Sequence, residues 1–284
     1  MEQSAYLTSE STSRNTSERD EGYYDLLSYI VSNAISGEIM AIENYSEMVQ
    51  LMPDCASRIE ANKQAVEECK HILQLSKLAR NLGFTVEQRI VEPQWNTIRS
   101  HFSTAVRKNN LAACLITQDL MTETMAIMLY RTLSGEADTD SQTRSVAHNI
   151  LQDEMHHLDI GIARIRAMLE QSRDDVHDAL VWAHHRVMPE LFGMISTNCH
   201  FLCDVLNLDC ASLSLNKIRT DIDTIRISAL QQYIDTLDRV GFDPFIVNPL
   251  IASMTAYEGL KDLRIAGDGV SCCSTEQKKS GKCC

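Results

Sequence analysis

QDEMHHLDIG, residues 152–161, sets a glutamate and a histidine three positions apart, Glu154 and His157, inside a helical run of apolar residues. Glu154 lies between Ile150-Leu151 and Leu158-Gly161, so a 3.6-residue repeat aims it at a core. The device occurs twice. EECKH, residues 67–71, offers Glu68 and His71, with Ala61, Ala65, Ile72 and Leu75 continuing the face. A lone glutamate precedes each pair on an apolar segment: Glu38 beside Ala34 and Ala41-Ile42, and Glu123 between Leu120 and Ile127. An E-x-x-H by itself is weak evidence, since chance supplies it readily. The signal is that all four glutamates fall on apolar stripes.

Burying a carboxylate without a partner costs several kcal/mol, and four facing one another require cations or protons. Two divalent ions would balance four carboxylates, with two neutral imidazoles completing the ligands. Residues three apart share a helix face, so each E-x-x-H can present both groups to one region. One glutamate from each of two helices and an E-x-x-H from each of two others is the ligand set of ferritin-like di-iron and di-manganese bundles. Oxygen and imidazole donors without thiolate favour iron or manganese over zinc or copper(I).

The rest of the chain agrees with an all-α, ferritin-like bundle of about eight helices around a di-metal centre. Only 11 glycines and 5 prolines occur in 284 residues, which disfavours a turn-rich β architecture. Apolar periodicity predicts helices over about 23–52, 54–82 (stopped by Gly83), from Pro93, 110–133, 141–170, 173–208, 212–240 and 244–264. Pro189 and Gly193 predict a kink or break in the sixth. Residues 1–22 read as a disordered arm, 23–264 as one di-iron domain, and 265–284 as a flexible tail with the pairs Cys272-Cys273 and Cys283-Cys284. Those pairs could capture a soft metal, form disulfides or carry lipid. The six scattered cysteines read as buried free thiols.

A formal charge of -13 argues against a nucleic-acid partner. No apolar run is long enough for a transmembrane segment, and the polar start is unlike a signal peptide, so a cytoplasmic location is expected. Tyr45 and Tyr130 each lie seven residues after a lone glutamate, and read as core packing or as contacts to the site. Gln118 could meet substrate or water, Asp153 could bond a ligating histidine, and His156 reads as exposed. His184-His185 with Glu190, and Cys199-His200 with Cys203, read as core or surface residues, and His177 in DDVHD as solvated. No phosphate-binding loop or nucleophile elbow occurs.

The stretches ISGEIMAIENY (35–45), EECKH, ITQDLMTETMAIMLY (116–130), QDEMHHLDIG and RVGFDPFIVNPLIASMTAYEGL (239–260) together resemble the cyanobacterial aldehyde deformylating oxygenases, from about Tyr23 to Leu260. The resemblance implies iron ligation by Glu38, Glu68, His71, Glu123, Glu154 and His157, with Tyr45, Gln118, Tyr130 and Asp153 around the cavity. It further implies two irons reduced by an external donor of ferredoxin or other reductase type. These would convert dioxygen to a metal-bound peroxide that cleaves a fatty aldehyde to a hydrocarbon and formate. The chain departs from that pattern at ILQLSKLARNLG (72–83), where Leu78 replaces a channel cysteine, and at Asp119 and Thr122, where the family is mostly aliphatic. A more polar cavity would suit an alternative small-molecule substrate, an amine or hydrazine oxidised at nitrogen. An iron-storing or peroxide-scavenging ferritin relative and a purely structural bundle are the other readings.

Overall fold

The computed structural model describes residues 21–87, 92–135, 139–200 and 222–254. Among them it is helical, with no strand. The helices are α1 (Glu21–Met48), α2 (Cys55–Leu82), α3 (Glu92–Arg107), α4 (Leu111–Leu115), α5 (Glu123–Gly135), α6 (Ser141–Gln171), α7 (Arg173–His200), α8 (Ile222–Val240) and α9 (Pro244–Ser253). A π-helical stretch, Ile116–Thr122, joins α4 to α5 without a break, so these count as one rod and the described residues hold eight.

Local chemistry sets the ends. Asp54, Asn110, Asp140 and Asp243 each accept a hydrogen bond from a backbone N–H in the first turn of the helix that follows. Gly83 ends α2 at φ 76°, a left-handed conformation that glycine adopts without a Cβ penalty. A short 3-10 turn, Val49–Leu51, and the extended residue Met52 reverse the chain between α1 and α2. α1 packs along α2 and α5 along α6, giving two helical hairpins. α2 meets α6 between them, and α3, α7 and α8 cover the outside. The core between the hairpins is closed to solvent, with Tyr45, Leu75, Leu115, Ile116, Leu120, Tyr130 and Ile150 buried.

Several expectations change. α7 continues through Pro189 and Gly193 as one helix, so proline does not break it. The expected helix over 110–133 contains the π-helical stretch, where the Glu123 N–H reaches the carbonyl of Gln118, five residues back. The Thr122 hydroxyl donates to the Thr117 carbonyl at 2.9 Å, again five residues back, and supports that widened turn. Of the scattered cysteines whose burial is described, Cys55 and Cys69 are exposed, turned outward by α2, and Cys114 is buried as expected. His177 is also buried, packed on the Phe242 ring at 5.9 Å between centroids, where the turn after α8 covers it. His156 is exposed as expected. The Cys-rich tail, the arm before Glu21 and Cys203 lie outside the described residues. No helix among the described residues is long and apolar enough to cross a membrane.

Gly161 lies where α6 closely approaches the π-helical stretch. A Cβ there would sit 2.4 Å from the Asp119 Cβ and 3.0 Å from its carbonyl oxygen. Gly161→Ala is therefore expected to destabilise the fold by about 1–3 kcal/mol, read from denaturant unfolding, because backbone and a Cβ cannot rotate away. An unchanged midpoint would show that the two helices can part freely.

Candidate metal centre

The structure brings all six expected ligands together. Glu38 comes from α1, Glu68 and His71 from α2, Glu123 from the start of α5, and Glu154 and His157 from α6. Each is buried, from 0% exposed for both histidines to 6% for Glu38. Their donor atoms form two overlapping groups, each within 4.8 Å: Glu38, Glu68, His71 and Glu154, and then Glu68, Glu123, Glu154 and His157. Glu68 and Glu154 belong to both. His71 Nδ1 stands 3.0 Å from Glu68, 3.2 Å from Glu154 and 3.4 Å from Glu38. His157 Nδ1 stands 3.2 Å from Glu68 and 3.4 Å from Glu154. Both imidazoles thus turn the same nitrogen inward.

The outward nitrogens are held by acids of the opposite hairpin. His71 Nε2 donates to Asp153 at 3.2 Å, and His157 Nε2 donates to Glu67 at 2.8 Å. Such bonds fix ring orientation and turn Nδ1 toward the carboxylates of the cluster. The lone glutamates are crossed in the same way. Tyr45 on α1 donates to Glu123 at 3.0 Å, and Tyr130 on α5 donates to Glu38. Gln118 adds a 3.0 Å bond to the same oxygen of Glu123, and Asn44 donates to Gln118 at 2.7 Å. Tyr45 and Tyr130 are therefore both core residues and partners of the cluster. Glu67 was not singled out from sequence, although it precedes Glu68 as Asp153 precedes Glu154. Comparing the two repeats residue by residue would have found it.

A second buried polar group adjoins the cluster. Arg164 donates to Gln64 at 3.0 Å and to Asp119 at 3.1 Å, and Gln64 donates to the Tyr45 hydroxyl at 3.1 Å. Burial pushes the Asp119 carboxyl up to about 6, against the opposing pull of Arg164. At the rival positions, buried His184 meets the Tyr233 hydroxyl at 3.0 Å, and burial pushes its imidazole down to about 4. It takes no part in either group.

Electrostatics shows what the pocket asks for. Burial, with the charges of Glu154 and Glu68, holds Glu38 well above the usual carboxyl range, and burial with Glu154 does so for Glu123. Burial alone would also raise Glu154 and Glu68, but the adjoining imidazoles of His157 and His71 hold both below it. The surrounding carboxylates lift both histidines well above the ordinary range despite their burial. Glu68 Oε1, Glu154 Oε2 and His157 Nδ1 remain buried without a hydrogen-bond partner, although they face one another. Lone pairs converging on one buried point are what a cation satisfies, so the donor set fits a pair of divalent ions.

Four helices carrying two E-x-x-H pairs and two lone glutamates around one buried cluster define the class, a ferritin-like bundle with a carboxylate–histidine centre able to hold metal. The chain belongs to the long-chain fatty aldehyde decarbonylase family, a family of enzymes, whose sequence profile matches residues 20–247. In structure it is similar to "Protein 19 with aldehyde deformylating oxidase activity from Synechococcus". The TM-score is 0.68 at 21% identity, over 82% of this chain and 97% of that one, a likeness of fold.

Proposed function

We propose that the cluster holds two iron ions and that the protein uses dioxygen and electrons from an external carrier to convert a long-chain fatty aldehyde into a hydrocarbon and formate. Family membership supports the substrate, and the observation that carries the chemistry is the pair of overlapping ligand groups sharing Glu68 and Glu154. Glu38, Glu68, His71 and Glu154 would hold one ion, and Glu68, Glu123, Glu154 and His157 the other. When bound, the ions supply the reduction of dioxygen, for which no side chain of the protein has the redox chemistry. The chain's own residues do the positioning. Asp153 and Glu67 hold the histidines with Nδ1 inward. Tyr45 and Gln118 pin one oxygen of Glu123, leaving the other to ligate, and Tyr130 pins Glu38 likewise. Tyr45 and Tyr130 are themselves buried, and the burial of the cluster keeps bulk water from the reacting atoms.

A second reading is favoured by one observation. Asn44 Oδ1, Thr117 Oγ1 and Asp119 Oδ1 are buried without partners on α1 and the π-helical stretch, polar groups that suit an amine or hydrazine better than a hydrocarbon chain. One experiment separates the two. The reduced, iron-loaded protein is given a long-chain fatty aldehyde and dioxygen, and hydrocarbon and formate are measured. A parallel reaction contains an amine or hydrazine. Hydrocarbon with matching formate establishes the aldehyde reading; neither product, with oxidised nitrogen in the parallel reaction, transfers the assignment.

A further inference from the structure

α2 has an outer face that the cluster does not use. Ile59, Val66 and Leu73 recur at intervals of seven and are 53%, 57% and 69% exposed. Lys63, Lys70 and Lys77 also recur at intervals of seven and alternate with them, and all three are exposed. On a 3.6-residue repeat both series lie on one side of the helix, so an apolar stripe runs beside a basic one. Of the three glutamates of α2, Glu60 offsets Lys63 at 3.4 Å, while Glu67 bonds His157 and Glu68 is buried, so Lys70 and Lys77 keep their charge uncancelled within the helix. In a protein of net charge -13 this is a local reversal of sign.

We propose that this outer face of α2 seats an acidic one-electron carrier protein, with the lysines engaging its carboxylates and the aliphatic stripe forming the dry centre of the contact. The inference rests on the proposed oxygen-dependent reaction, which consumes external electrons. Charge complementarity selects the occupant. A second copy laid symmetrically on this face would set lysines against lysines. An extended anionic membrane would meet the repulsive field of the whole chain, whereas a small carrier meets the stripe. Position agrees, since the same helix presents Glu68 and His71 on its inner side and a helix with its side chains is about 10–12 Å across. His71 Nε2 also reaches Asp153 of α6, whose side chain is 45% exposed, so the cluster lies one hydrogen bond from solvent. Each encounter would pass one electron from the reduced carrier, oxidised by one, to a ferric ion that Glu38, Glu68, His71, Glu123, Glu154 and His157 would hold.

The test uses the full-length protein and an acidic plant-type [2Fe–2S] ferredoxin as the probe. Binding is followed by titration at low and high salt, with and without iron. The wild-type chain is expected to bind the ferredoxin and to release it as salt rises. Lys63→Glu/Lys70→Glu/Lys77→Glu is expected to weaken binding at least about tenfold, and the corresponding arginine variant to retain it. Ferredoxin-driven turnover at sub-saturating carrier should fall with binding, while turnover driven by a small-molecule reductant stays at the wild-type rate. Reversal of Lys108, Arg131 and Arg173, which changes net charge equally away from α2, should leave binding intact. Undiminished binding in the α2 variant, or equal loss in the control, overturns the proposal. It is also overturned if Val66→Asp/Leu73→Asp dissociates a dimer, or abolishes pelleting with phosphatidylglycerol vesicles, while ferredoxin binding is unaffected. If neither reductant supports oxygen consumption and yet binding follows the α2 charges, the oxygen-dependent reading fails and the docking face stands.

Discussion

Glu68→Ala is expected to abolish metal binding throughout the cluster, whereas Glu38→Ala should weaken only one half of it. Glu68 is common to both donor groups, while Glu38 belongs to one and Glu123 to the other. Removing a shared carboxylate would take a donor from both groups at once. After anaerobic iron loading and desalting, about two irons per wild-type chain are expected, against less than about one-tenth of that for Glu68→Ala. Glu38→Ala and Glu123→Ala should each retain an intermediate amount. Circular dichroism before loading separates a lost ligand from a lost fold, since the helices should persist in all three. Wild-type iron content in Glu68→Ala would falsify the shared-carboxylate arrangement.

The second large effect concerns stability. Arg164→Met leaves Asp119 with no cationic partner in a fully buried position, and breaking a buried ion pair from one side typically costs about 3–5 kcal/mol. That is a large part of the roughly 5–15 kcal/mol by which folded domains are stable. The loss should depend on pH. Asp119 is held at about 6 in the folded protein, above its value of about 3.9 in an unfolded chain. The folded state therefore holds this proton more tightly, and the stability it contributes is complete below about pH 4 and is lost as pH rises through 6. Without Arg164 the carboxyl rises further, so the variant keeps losing stability above pH 6, where the wild-type chain has levelled off. Unfolding at pH 5 and pH 8 should show the larger deficit at pH 8. An equal deficit at both would mean that packing, not charge, is the role of Arg164.

The ligands were legible because each statement about them is local. Glu154 and His157, or Glu68 and His71, share a face by helical geometry alone, and an apolar stripe around a glutamate is visible without knowing its neighbours. Their mutual arrangement was not local. Which histidine Asp153 would bond, and that Glu67 would mirror it, depends on α2 lying against α6. The π-helical stretch left no mark in LAACLITQDLMTETMAIMLY, since its widened turn is paid for by packing against Gly161 and by a Thr122 hydroxyl that α-helices also tolerate. His177 was misread for a similar reason: its flanking aspartates suggest solvent, and the ring that buries it, Phe242, is distant in sequence. Pro189 does not break α7, which stays helical through it.

The exchange of partners between hairpins constrains how this protein can change. Tyr45 serves Glu123, Tyr130 serves Glu38, Asp153 serves His71 and Glu67 serves His157, every bond passing from one hairpin to the other. Neither half can drift on its own. A substitution in the α5–α6 half alters the ligand geometry of the α1–α2 half, and its compensation must arise there, so inherited changes around the cluster should come as matched pairs spanning the two halves.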